Sequence, residues 1–147
     1  MTLQDWLKNG WLKKHQTTAQ EIGELLELAD RDLKDCRARG LSDDWKLNIA
    51  YNAALQAGFA ALHAAGYAVP KGDSHHFRVI QSLEYTVELN DAAIAKLDTY
   101  RKKRNMGIYD IAGAISGRDA DDCVATAADL LARVRAWLAK EHPDLLI

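Results

Sequence analysis

The sequence predicts an all-α fold, an antiparallel bundle of four to five helices, on three observations. Its 147 residues include 24 Ala and 19 Leu against 5 Val and 8 Ile. Ala and Leu lose little side-chain freedom in a helix, whereas Val and Ile are stiff and suit strands. Only two prolines occur, Pro70 and Pro143, which leaves two long stretches free of the strongest helix breaker. Apolar residues recur at steps of three and four along most of the chain, and no strand-like run stands out. One domain, residues 1–147, is the default at this length, and it buries roughly 70% of the surface its unfolded chain exposes.

The elements follow in order. Residues 3–14 carry Leu3, Trp6, Leu7 and Trp11 on one side, and residues 1–17 read as a segment that docks its tryptophans on the rest of the domain. Thr18 and Glu21 have capping-box spacing. A helix then extends to about Arg39, with Ile22, Leu25, Leu26, Ala29, Leu33 and Cys36 on one face and Gly40 as its stop. Ser42, followed by Asp43 and Asp44, caps the next helix, which runs to about Ala65. It is apolar nearly all round and belongs in the middle of the bundle. After a loop with Pro70 and Gly72, Ser74 starts a third helix with Phe77, Ile80, Leu83 and Val87 inward. A fourth begins at Asp91, residues 105–118 are less regular, and the last helix spans 119–141. In it Val124, Ala127, Leu131, Val134 and Leu138 alternate steps of three and four, the seam of an antiparallel contact.

Charge and cysteine usage narrow the function classes. The net charge of −2 argues against sequence-blind coating of nucleic acid but allows a local basic site. Cys36 and Cys123 form no CxxC pair, so reduced thiols are expected and a zinc or redox motif is not. No window has the length and apolarity of a membrane span, and the start lacks the basic and apolar pattern of a signal peptide. A cytoplasmic protein with no cofactor, no metal and no membrane partner is the expectation.

The informative feature is the fourth helix, where Ile94, Leu97, Arg101 and Arg104 fall at 0, 3, 7 and 10. An apolar stripe that runs into two guanidiniums requires a partner, since an unpaired buried charge is costly. The partner is an acid of the same chain, an acid of another subunit, or a phosphate, which the planar fork of arginine suits well. Lys102 and Lys103 complete a run of four basic residues. The plain alternative is a solvated basic helix end that complements the dipole, and spacing alone favours it. His75 and His76 read first as a polar helix start after a turn. They could also supply a base from another helix, because catalytic groups assemble in space. Asp119, Asp121 and Asp122 read as an acidic helix start, and His63 as an interior or interface histidine.

The stretch Arg101-Lys102-Lys103-Arg104-Asn105-Met106-Gly107-Ile108-Tyr109-Asp110 resembles the motif of HEPN (higher eukaryote and prokaryote nucleotide-binding) domains, especially small single-domain prokaryotic ones. In that motif an arginine, often followed by asparagine, precedes a histidine by four to six residues; Arg104 and Asn105 match its start. Residues 21–26, 31–33, 41–66 and His75-His76 extend the likeness over most of the chain from Thr18. The resemblance implies a helical bundle paired as a homodimer with the motif helices at the interface. It also implies RNA or nucleotide as ligand, and a place in a toxin–antitoxin or defence module beside a nucleotidyltransferase-type antitoxin. Many such proteins are metal-independent endoribonucleases, in which the arginine holds the scissile phosphate, the asparagine orients the site and the histidine moves a proton. On that pattern the catalytic set is Arg104, Asn105 and Tyr109, the phosphate ligands are Arg101 and Arg104, and His75 and His76 are accessory.

The sequence departs from the pattern at Tyr109, which stands where the family carries histidine. A phenol with a reference pKa of about 10 is a poor general base at neutral pH. The expectation is therefore phosphate or nucleotide binding, with ribonuclease activity in question. The alternative is a non-catalytic interaction protein whose arginines form interface salt bridges.

Overall fold

The structure is a computed structural model that describes residues 1–72, 75–109 and 115–146; of residues 105–109 it describes the helical backbone alone. The described chain is mostly helical. Five long helices, α2 (Ala19–Asp35), α3 (Asp43–Ala64), α4 (His75–Thr86), α5 (Asp91–Tyr109) and α6 (Gly117–Glu141), accompany the short α1 (Leu3–Lys8) and a 3-10 turn at Pro143–Leu145.

The central element is α3, against which α2, α4, α5 and α6 all pack. Its start is set by Ser42, whose hydroxyl accepts from the Trp45 N–H at 3.2 Å, with Asp43 and Asp44 in the first turn. Leu47, Tyr51, Leu55 and Leu62 are buried along it together with Ala50, Ala53, Ala54, Ala57, Ala60 and Ala61. Small side chains on several faces let neighbouring helices approach closely. At Gly58 a Cβ would sit 2.9 Å from Val79 Cγ1 of α4, so glycine is what this crossing admits. The apolar face of α2 buries Ile22, Leu26, Ala29 and Leu33, and α6 buries Val124, Ala127, Leu131, Val134 and Leu138.

Several boundaries differ from those expected. The second helix ends at Asp35 rather than near Arg39: Arg37 N–H bonds the Lys34 carbonyl, a tighter i−3 turn, and a further turn follows at Arg39 and Gly40, where Gly40 has φ +86°. The α5 backbone stays helical through Gly107 to Tyr109, within a region expected to be irregular. The last helix begins two residues early, at Gly117, because Ser116 accepts from Asp119 N–H at 3.0 Å. Asp73 and Ser74, the expected start of α4, lie outside the described residues. Glu88 links α4 to α5 with φ +56°, and Leu89 N–H closes the link on the Leu83 carbonyl at 3.1 Å.

The expectation that strands are absent is corrected by a small antiparallel ribbon. β1 (Lys13–Lys14) pairs with β2 (Tyr67–Ala68), Lys13 opposite Ala68 and Lys14 opposite Tyr67, and His15 N–H adds a bond to the Gly66 carbonyl at 2.9 Å. Two-residue strands are too short to show a period of two, which is why sequence patterning does not register them. Next to the ribbon, α1 buries Trp6, whose ring meets Trp11 and Tyr85 edge-on at 6.1 and 5.4 Å. The Arg78 guanidinium covers Trp11 at 4.1 Å. Cys36 and Cys123 are free and buried, and burial pushes the Cys123 thiol up to about 12. No described helix is long and apolar enough to cross a membrane.

Candidate functional site

The four basic residues of α5 have different partners. Arg101 Nε donates to Asp98 Oδ1 at 2.8 Å, one turn earlier on the same helix, and Lys102 Nζ lies 3.2 Å from Asp98 Oδ2. Burial pushes the Asp98 carboxyl up, but the hydrogen bonds from Arg101 and Lys102 outweigh it and hold the group below its ordinary range. Lys103 Nζ donates to Asp119 Oδ2 at 2.8 Å, which ties α5 to the start of α6. Arg104 Nε donates instead to a neutral amide, Asn48 Oδ1 of α3, at 2.5 Å. Among the described residues, Arg104 is the member of the run with no carboxylate partner.

The surroundings of Arg104 come from three helices. Its guanidinium carbon lies 5.5 Å from the centroid of Tyr51 on α3, one turn beyond Asn48. Tyr51 is 1% exposed, and its hydroxyl has no hydrogen-bond partner among the described residues. Burial raises the Tyr51 phenol far above its ordinary value, with Arg104 and Arg101 pulling the other way, so it remains protonated. From α4, the His76 ring lies 6.3 Å from Tyr51. Burial first, then Arg104, His75 and Arg101, hold His76 below the ordinary histidine value. Phe77 of α4 packs under Arg101, with 5.6 Å between guanidinium carbon and ring centroid.

The structure thus brings Arg101, Arg104 and His76 together around Tyr51. His75 stands beside them, its ring 5.9 Å from His76 and 5.3 Å from Phe59. α5 includes Asn105 and Tyr109, but their side chains lie outside the described residues. Asn48 and Tyr51 are the additions that sequence reasoning did not single out. Their one signal is a pair of polar-tipped residues at i and i+3 in an otherwise apolar helix, with Asn52 next to them. Asn52 itself serves a different network, donating to Asp32 Oδ2 at 2.7 Å while Arg31 takes Asp32 Oδ1 at 3.0 Å.

Chemically, the arrangement suits an anion. A guanidinium offers five N–H donors in a planar fork, and one of those of Arg104 is committed to Asn48. The phenol of Tyr51 can donate a hydrogen bond but not abstract a proton. A neutral His76 can accept one. No protein-family model matches the chain, and neither does any curated protein.

Proposed function

We propose that this chain binds the phosphate of RNA or of a nucleotide at Arg104, as a HEPN-like antiparallel helical bundle that pairs as a homodimer. The observation that carries the reading is the contrast within α5: Arg101, Lys102 and Lys103 each have an acid, whereas Arg104 is anchored by a neutral amide. Its charge is oriented but not neutralised within the described residues. The proposed setting is a cytoplasmic toxin–antitoxin or defence module with a nucleotidyltransferase-type partner; that part rests on the likeness of residues 101–110 to the HEPN motif.

Cleavage is the second step of the reading. With Tyr109 in place of the motif histidine, His76 is the group suited to take the proton of a ribose 2′-hydroxyl as its oxygen attacks phosphorus. The proton returns to the departing 5′-oxygen, which leaves a cyclic phosphate. The test is fluorescence anisotropy with a labelled single-stranded RNA and with a nucleoside triphosphate, alongside a gel assay of RNA integrity. Arg104→Ala is expected to weaken binding by about tenfold or more, roughly 1.4 kcal/mol, and to flatten the salt dependence by about one unit of slope. Binding equal to wild type would sink the proposal. Any cleavage is expected to fall further with His76→Gln than with Tyr109→Phe.

The alternative is an interaction protein with interface salt bridges; within the chain, Arg101 already pairs with Asp98 of its own helix. Light scattering on Arg104→Ala separates the two: dissociation with unchanged ligand binding supports the alternative.

A further inference from the structure

Three ligand-type side chains from separate parts of the chain converge at the other end of α3. His15 follows β1, Glu21 lies in the first turn of α2, and His63 lies in the last turn of α3. His15 Nε2 is 2.8 Å and His63 Nδ1 is 2.9 Å from the same oxygen, Glu21 Oε1. All three ligand atoms fall within 4.8 Å of one another, and the two imidazole rings are 4.3 Å apart. Thr17 Oγ1 donates to that carboxylate oxygen as well, at 2.9 Å. Glu21 has the capping-box position, yet its carboxylate is engaged by these three side chains.

We infer that His15, Glu21 and His63 form a binding site for one divalent transition-metal ion, with Zn2+ the best fit. Two imidazole nitrogens and one carboxylate oxygen form a borderline ligand set that suits Zn2+ rather than Ca2+ or Mg2+, which prefer oxygen shells. Bonds of about 2.0–2.1 Å in a tetrahedron place ligand atoms roughly 3.3 Å apart. The two nitrogens need to part from Glu21 Oε1 by only about half an ångström, a rotamer adjustment. The side chains retain 26%, 35% and 17% of their exposure, enough for an ion to enter. A groove lined by Lys14, His15, Gln16, Ala65, Gly66 and Tyr67 adjoins the site at His15. Thr17 donates to the same Glu21 oxygen, and the Phe59 ring lies 5.7 Å from that of His63, so each of these two ligands has a neighbour that helps orient it. A metal there would join β1, α2 and α3 at one point.

The experiment uses the full chain, stripped with chelator and titrated at pH 7.5 with ZnCl2 by calorimetry, and with CoCl2 by visible absorption. Expected are one equivalent of Zn2+ per chain, the ligand-field bands of four-coordinate Co2+, and a rise in Tm of about 5 °C or more at a hundredfold excess over Kd. His15→Ala and Glu21→Gln, the more exposed ligands, are expected to weaken binding by about tenfold or more with the helical circular dichroism retained. His142→Ala and the paired Cys36→Ser and Cys123→Ser changes should leave it intact. Binding that survives both His15→Ala and Glu21→Gln, or loss with the cysteine changes, overturns the site. So does a wild-type chain that takes up no Zn2+ at micromolar concentration.

Discussion

Burying a phenol costs free energy when its hydroxyl goes unbonded, and Tyr51 is a fully buried tyrosine whose hydroxyl has no partner among the described residues. Phenylalanine would fill the same space without that cost. Tyr51→Phe is expected to leave unfolding stability unchanged or to raise it by about 1 kcal/mol in urea titrations. RNA affinity should fall if the hydroxyl is kept for the ligand held by Arg104. An equal loss of stability and affinity would show a purely structural tyrosine. His76 gives the matching pH prediction. Its folded value lies below the ordinary one, so the native state favours the neutral ring. The corresponding stability is present above about pH 6.5 and is lost as pH falls through the lower folded value. An NMR titration should show the His76 value move up in Arg104→Ala, since burial and then Arg104 are the leading causes of its depression. Arg104 itself was legible in the sequence because it ends an apolar stripe. Its bond to Asn48 was not, because a contact across 56 positions leaves no local pattern.

At the scale of elements, the side chains that start and fill the helices are local, and these were legible. Thr18 accepts from Glu21 N–H at 3.1 Å and Ser42 from Trp45 N–H, each at the cap that sequence spacing marks. Helix ends were less legible, because Cys36 and Arg37 leave α2 through a tightened turn that no glycine or proline announces. The close crossing of α3 and α4 at Gly58 rests on a single missing side chain. Val79 is β-branched and buried, so its Cγ1 cannot swing aside freely. Gly58→Leu is expected to destabilise the fold by about 2–3 kcal/mol, despite the better helix propensity of leucine. A denaturant midpoint equal to wild type would show that α4 moves aside at no cost. The same crossing holds Tyr51 and His76 within reach of each other, so Gly58→Leu should also weaken ligand binding at Arg104.

Across the whole molecule, the net charge of −2 conceals a segregation that the fold turns to use. Asp121 and Asp122 of α6 pair with Lys46 and Lys96, and Asp119 with Lys103, so the acidic start of α6 neutralises bases on α3 and α5. These pairs are exposed or half-exposed and add little stability. With Asp98 taking Arg101 and Lys102, Arg104 is the cation of that run without an acid among the described residues. The helical class was legible from composition and period. The assembly of Arg104 with His76, and of His15 with Glu21 and His63, was not, because both depend on segments brought together only by the packing of α3. The β1–β2 ribbon bears on the order in which the molecule forms. Lys13 and Ala68 pair across the whole α2–α3 hairpin, so the loop they close is long and becomes favourable only once α2 and α3 have condensed. The first seventeen residues are then expected to join after that hairpin and to open before it, a small latch that earlier exchange of the His15 amide than of the α3 amides in native-state hydrogen exchange would reveal.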